Sequence, residues 1–312
     1  MRHRMLLIYN PRAGKGQFLE KLGPVVDMFV KGGYTVEVYP TQAHGDAVDH
    51  ITNLQPGYEL IVAAGGDGTL DEVVTGLMRN GQDIPVGYIP VGSTNDYAAS
   101  LGLSGDILTA VGDILGGEPV GFDVGCFNDR YFIYVAAFGA FTDVSYSTDQ
   151  GMKNSLGHFA YLLEATKKLG DVKPFRMQVQ VNGHTMTHSY IYGMVTNSFS
   201  VGGMKNLLFT DKEVHLSDGM FEVMLIRDPK NLMDLQQIVG AILTRNFDTQ
   251  LIDIYKTSEI SFESPEPLPW TLDGEYGGDD RTVTITNRKE GVRIMLDRGQ
   301  ERPSEEGKAD HE

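Results

Sequence analysis

The stretch Ala63-Ala64-Gly65-Gly66-Asp67-Gly68-Thr69-Leu70-Asp71-Glu72 constrains this chain more than any other. It follows an apolar run that reads as a strand. Asp67-Gly68 is a hairpin signal, yet no second strand comes next. Instead Leu70, Val73, Val74 and Leu77 recur at helical spacing. Thr69 with Glu72 three residues later has the form of a capping box. A strand, a glycine turn and a helix N-terminus together make an anion site, because N–H groups point outward and the helix dipole favours negative charge. The loop lacks the lysine-containing phosphate motif. Asp71 stands where a dinucleotide fingerprint needs its third glycine. Asp67 would repel a bare phosphate, and makes sense if Mg²⁺ lies between them. The expected ligand is a nucleoside triphosphate with Mg²⁺; the alternative is a structural turn.

Two further loops share this pattern. Residues 87–101, "GYIPVGSTNDYAASL", run strand, Gly92, hydroxyls and helix, with Ser93 and Asp96 at cap spacing. Residues 10–16, "NPRAGKG", leave the first strand and offer Arg12 and Lys15 as positive charge. Over the first ~120 residues strands alternate with helices, the signature of a parallel sheet covered on both faces. A helix is expected with Phe18, Leu22, Val25, Val26 and Phe29 on one face, Pro24 forcing a kink or a late start in it, and further helices near 44–55, 69–80, 94–101 and 105–116. In such sheets the strand carboxyl ends meet at one crevice, which gathers the three loops.

Beyond about residue 120 short β-branched and aromatic segments dominate: 131–138, 175–181, 189–197, 220–228, 259–264, 282–287 and 292–297. Asn128-Asp129 and Asn182-Gly183 are hairpin turns, and two helices are expected near 154–170 and 231–245. The expected organisation is an α/β nucleotide-binding domain over 1–124, a β-rich domain over 125–299 and a disordered acidic tail over 300–312. The last strand could return to either domain.

The net charge of −16 argues against a nucleic-acid partner and against long-range attraction to anionic lipid. Membrane contact would have to be local; Lys167, Lys168, Lys173 and Arg176 form a small basic cluster that reads first as a solvated face. A single cysteine, Cys126, excludes an internal disulfide and fits a reducing cytoplasm. Cys126 itself reads as a core residue. The N-terminal apolar run is too short for a signal peptide, and no segment approaches a membrane span.

Residues 10–16, Thr41 with Gly45–Ala47, 65–73 "GGDGTLDEV", 90–98 "PVGSTNDYA", 156–165, 216–225 and 272–275 "LDGE" resemble, in the same order, the diacylglycerol kinase catalytic domain family in its soluble bacterial branch. The resemblance implies a phosphofructokinase-like α/β domain that binds ATP and a C-terminal β-sandwich domain that helps bind the lipid. By position it implies ATP contacts at Asn10, Pro11, Arg12, Ala13, Gly14, Thr41, Gly66, Asp67, Gly68, Thr69, Leu70, Asp71, Glu72 and Ser93, with Asp67 serving a catalytic Mg²⁺. It implies Glu275 as proton acceptor, with Asp273 beside it as orienter or metal partner. Asp218, with the carbonyls of His215 and Met220, would hold a second, structural Mg²⁺; a metal-free Asp-Gly turn is the alternative. Asp123 would support the Mg²⁺ network or be structural. The chain departs from the family pattern at Asp71, where Asn is usual, at Ser93 (Thr) and at Tyr97 (Phe).

The implied activity is ATP- and Mg²⁺-dependent phosphorylation of a membrane-lipid hydroxyl, diacylglycerol first, with phosphatidylglycerol or a sphingoid base as other acceptors. The protein would be cytoplasmic and transiently at the inner face of the membrane; a homodimer is left open. An NAD kinase shares the GGDGT loop, but "GSTNDYA" and "LDGE" belong to the lipid kinase pattern. A non-catalytic nucleotide or lipid sensor would be free to lose Asp67, Ser93, Asp273 and Glu275.

Overall fold

The computed structural model describes residues 2–93, 95–139, 173–197, 200–201, 204–205 and 217–297. The expected helix at 154–170 and the tail lie outside them.

The N-terminal half is a parallel sheet in the order β2 (Tyr34–Pro40), β1 (His3–Tyr9), β3 (Leu60–Gly65), β4 (Val86–Pro90). Alternate residues of β1 enter different cores, as a pleated strand requires. Met5 and Leu7 join Phe18, Val25 and Phe29 of α1 (Gln17–Lys31) and Val111 and Ile114 of α5 (Ile107–Gly116). Leu6 and Ile8 join Ala47 and Ile51 of α2 (Asp46–Thr52) and Val73, Val74 and Leu77 of α3 (Asp67–Asn80). Both faces are thus covered, which explains the unbroken apolar runs of β3 and β4. Helix α1 starts at Gln17 and runs through Pro24, so the late start does not occur. A short α4 (Asp96–Ser100) follows β4.

The C-terminal half is β-rich: β5 (Glu118–Phe127), β6 (Arg130–Phe132), β7 (Val135–Gly139), β8 (Phe175–Val181), β9 (His184–Thr196), the two-residue β10 (Ser200–Val201) and β11 (Met204–Lys205), β12 (Phe221–Arg227), β13 (Ile252–Thr257), β14 (Glu259–Leu272) and β15 (Glu275–Leu296). Hairpins turn at Asn128 and Asn182, both at positive φ. Helix α6 (Leu232–Thr244) packs Leu235, Ile238 and Ile242 against Met194 and Met224. Trp270 lies at the centre of the other β core, against Phe127, Phe138 and Phe262. Strand β13, an edge strand with polar alternation, was not among the expected segments.

The two halves share one sheet. Strand β15 pairs with β14 near its start, bulges between Arg288 and Val292, and then runs parallel beside β4 through Ile294↔Val86. The question of where the last strand returns thus has a double answer: its beginning serves the β-rich half and its end the α/β half. The expected boundary at 124 falls inside β5, which pairs with β15 along both parts. Asp123 on β5 is fully buried and secures the bulge. Its carboxylate accepts from Glu290 N at 2.8 Å and from Gly219 N at 2.6 Å. Burial pushes this carboxyl upward, against those N–H groups.

Candidate active site

Four parallel strands end at one crevice, and backbone hydrogen bonds tie their loops together. Asn10 N donates to Ala64 O (3.0 Å), Thr41 N to Tyr9 O (2.9 Å) and Val91 N to Gly65 O (2.8 Å). Two glycines permit the close approach. A Cβ on Gly14, at φ +54°, would lie 2.2 Å from Val91 O, and one on Gly92 would lie 2.5 Å from Gly66 Cα. The loops therefore touch backbone to backbone around a cleft of about 380 Å³.

Asn10, Arg12, Ala13, Gly14, Thr41, Gly66, Gly68, Thr69, Glu72, Ser93 and Glu275 line the cleft. Pro11, Asp67, Leu70, Asp71 and Asp273 do not; Leu70 is buried in the core. Gln42, Ala43, His44 and Gly92 also line it and were not singled out as site residues. The side chains of Lys15 and Asp96 lie outside the described residues.

The local capping differs from expectation. Helix α3 begins at Asp67, with Gly66 before it and no side-chain cap. Thr69 is already inside the helix, so the capping box does not form. Glu72 reaches across to the neighbouring helix, accepting from Gly45 N (2.8 Å) and Ala47 N (3.2 Å) at the entry to α2. One carboxylate thus satisfies two N–H groups of a helix start that has no cap of its own. Nor does Ser93 cap α4. Asn95, at φ 54°, precedes that helix and closes the loop by exchanging two 2.9 Å hydrogen bonds with Gly92. An Asn tolerant of left-handed backbone was the available signal.

Asp67 opens α3, where the helix dipole favours its charge. Its Oδ1 accepts from Tyr97 N at 3.2 Å. Tyr97, where Phe is usual, keeps its ring buried.

Asp273 and Gly274, both at positive φ, form the turn between β14 and β15 and place Glu275 at the first position of β15. The Asp273 carboxylate accepts three successive N–H groups, from Ile133 (2.6 Å), Tyr134 (3.1 Å) and Val135 (2.8 Å). Tyr134 OH donates to Asp273 O at 3.0 Å. These bonds hold the Asp273 carboxylate against residues 133–135 and fix the turn. Asp71 lies beside it, and its Oδ1 is shut from solvent without a partner among the described residues. Burial first, then repulsion by Asp273, Glu275 and Glu72, pushes the Asp71 carboxyl well above the carboxylate range. Burial raises Asp273 as well, and the three N–H groups oppose it. Those donors favour the charge on Asp273, so the proton of the pair belongs on Asp71. A protonated Asp71 then resembles the amide usual at that position, one face accepting and one donating.

Glu275 is exposed over about half its side chain and packs against Gly68, where a Cβ would sit 3.0 Å from its Oε1. The proton acceptor expected in the β-rich half thus lies against the glycine loop of the α/β half.

Asp218 stands elsewhere. Its Oδ1 accepts from Met220 N (2.9 Å), and its Oδ2 pairs with Lys256 Nζ (2.9 Å). His215 lies outside the described residues. No cluster of three metal-ligating side chains occurs among the described residues.

Residues 4–127 match the family described as diacylglycerol kinase catalytic domain, and residues 135–290 the one described as YegS C-terminal NAD kinase beta sandwich-like domain. A diacylglycerol kinase of Staphylococcus carnosus is 34% identical over 280 residues, covering 89% of this chain and 90% of the relative. The chain belongs to the diacylglycerol kinase family. A diacylglycerol kinase of Bacillus subtilis is 32% identical over 277 residues, covering 88% and 90%. A solved diacylglycerol kinase of Bacillus anthracis aligns over 95% of this chain and 97% of its own at a TM-score of 0.72 and 20% identity, which shows the common fold. As a member of this family the protein is a lipid kinase. No described helix is long and apolar enough to cross a membrane.

Proposed function

We propose that this lipid kinase transfers the γ-phosphate of ATP to the free hydroxyl of diacylglycerol. The observation that carries the reading is the meeting of three backbone-lined loops with Glu275 at one cleft. Asn10–Gly14, Thr41, Gly66–Glu72 and Ser93 form or support the nucleotide side. Arg12, on the cleft wall, supplies positive charge, and among the described residues no other arginine or lysine lines the cleft.

The hydroxyl oxygen of the lipid forms a bond to the γ-phosphorus as the bond to the β–γ bridging oxygen breaks and ADP leaves. Glu275 takes the hydroxyl proton, late in a loose transition state. Asp273 keeps Glu275 in place through the turn they share. Asp67 fits a divalent cation by its chemistry, a hard carboxylate oxygen at the first position of α3, between the cleft-lining Gly66 and Gly68. Mg²⁺ bound there would neutralise charge on the triphosphate. At Asp218 the fit is poorer, since Lys256 already faces one carboxylate oxygen. The lipid would be met at the inner face of the membrane, through a local contact.

The test is phosphate transfer from labelled ATP to diacylglycerol, phosphatidylglycerol and a sphingoid base in mixed micelles, with NAD as a further acceptor. Diacylglycerol should be labelled most efficiently, and omitting Mg²⁺ should abolish labelling. Transfer to NAD with none to any lipid would overturn the proposal.

A further inference from the structure

We infer that His44 is a positioning residue for Glu275. The inference rests on the reading of Glu275 as proton acceptor.

His44 lies in the segment 41–44 that lines one side of the cleft. Its ring Nδ1 is 3.2 Å from Glu72 Oε1 and 3.9 Å from Glu275 Oε2. The ring is exposed, but its backbone is not free to wander. Glu72 clamps Gly45 N and Ala47 N on the following turn, and Thr41 N is tied to Tyr9 O on the preceding side. The same carboxylate that fixes this turn to α3 also meets the ring, so Glu72 aims His44 at Glu275. The two elements come from opposite ends of the chain.

The charge around Glu275 gives this contact a purpose. Asp273 and Glu72 carry their charge in the same space, around the protonated Asp71, and Asp67 repels Asp273 in turn. A carboxylate at the mouth of such a group is pushed outward, toward solvent and away from the hydroxyl it must reach. Among the described residues, His44 in its protonated form is the ion-pair partner of Glu275. The imidazolium held beside Glu72 draws the carboxylate back over Gly68, on the cleft side. An interaction of this exposure is modest, on the order of a fivefold effect at most. It should appear in turnover more than in ATP binding, because the ring's contact with Glu275 is to the acceptor, while Glu72 stays held by Gly45 N and Ala47 N without the ring.

The experiment is steady-state kinetics on the full chain, with ATP titrated against saturating diacylglycerol micelles, for His44→Ala, His44→Lys, Glu275→Gln and the double variant His44→Ala/Glu275→Gln. His44→Ala should lower kcat about fivefold with KM for ATP and Tm unchanged, and His44→Lys should restore most of the loss. In the Glu275→Gln background, removing His44 should cost nothing more. Wild-type kcat in His44→Ala, or a raised KM for ATP at unchanged kcat, overturns the inference. So does an equal loss in both backgrounds. Full activity in Glu275→Gln would instead bring down the acceptor assignment itself.

Discussion

Gly14 and Gly16 sit in the same loop and provide a matched pair of perturbations. Both have positive φ, +54° and +79°, so alanine at either strains the backbone by roughly 1–2 kcal/mol. They differ in what the new methyl meets. At Gly16 the nearest atom is Pro11 O at 3.8 Å, an ordinary contact. At Gly14 it is Val91 O at 2.2 Å, about 0.8 Å inside the 3.0 Å that real Cβ atoms keep. That atom is backbone, so no side chain can swing away. The 10–16 loop and the Val91–Ser93 loop must part by something near 1 Å, and both line the cleft. A displacement of that size at a positioning element costs on the order of 100-fold. Gly14→Ala should therefore lose about 100-fold in kcat/KM for ATP, while Gly16→Ala loses little. Thermal unfolding should show the shared strain in both and a further drop in Gly14→Ala from the clash. The measurements are an ATP titration in the micelle assay and the Tm of each variant. Equal kcat/KM values for the two variants would refute the claim that loop contact, rather than backbone strain, shapes the nucleotide site.

Asp273→Ala strands three N–H groups, at Ile133, Tyr134 and Val135, and should lower stability by about 3 kcal/mol or more and nearly abolish turnover; urea unfolding that matches wild type would contradict the clamp. Glu222 is buried, its Oε2 has no partner among the described residues, and burial raises its carboxyl from the ordinary 4.5 to about 7 despite Lys256. The folded state binds the extra proton between those values, so stability falls as pH rises from about 4.5 to 7, by about 3 kcal/mol at most. Glu222→Gln should flatten that slope and be the more stable form at pH 8; an unchanged slope in chemical denaturation would count against it. Asp71→Asn should keep activity and gain stability at high pH, where the wild-type pair is forced to carry more charge. Loss of turnover in this variant, with Tm unchanged, would show that Asp71 does more than hold a proton beside Asp273.

The legible part of this protein was what local pattern encodes. A strand feeding a glycine turn and then a helical run is a short-range arrangement, so the α/β half and its three loops could be read residue by residue. Ten of the expected site residues, all but Glu275 of those that line the cleft, meet there because they follow the ends of neighbouring parallel strands. Asn128 and Asn182 marked their hairpins for the same local reason. Spacing misled where two partners compete for one group. Thr69 and Glu72 have capping-box spacing, but Glu72 found better use on the N–H groups of α2, 25 and 27 residues away in sequence. Strand β13 went unread because its apolar residues, Ile252, Ile254 and Tyr255, are few and broken up by Asp253 and Lys256.

What the tertiary structure alone decided are the long-range meetings. No local rule says that β15 begins in one half of the sheet and ends in the other, since both ends are simply β-branched and alternating. That shared strand, with the turn at Asp273 and Gly274, carries Glu275 onto Gly68, over two hundred residues earlier in the chain. It also sets Asp71 against Asp273 and brings His44 within reach of Glu275. Sequence determines which groups are available and what backbone each can adopt; which carboxylates share a proton, and which face a cation, depends on distances of a few ångströms that only the folded chain sets.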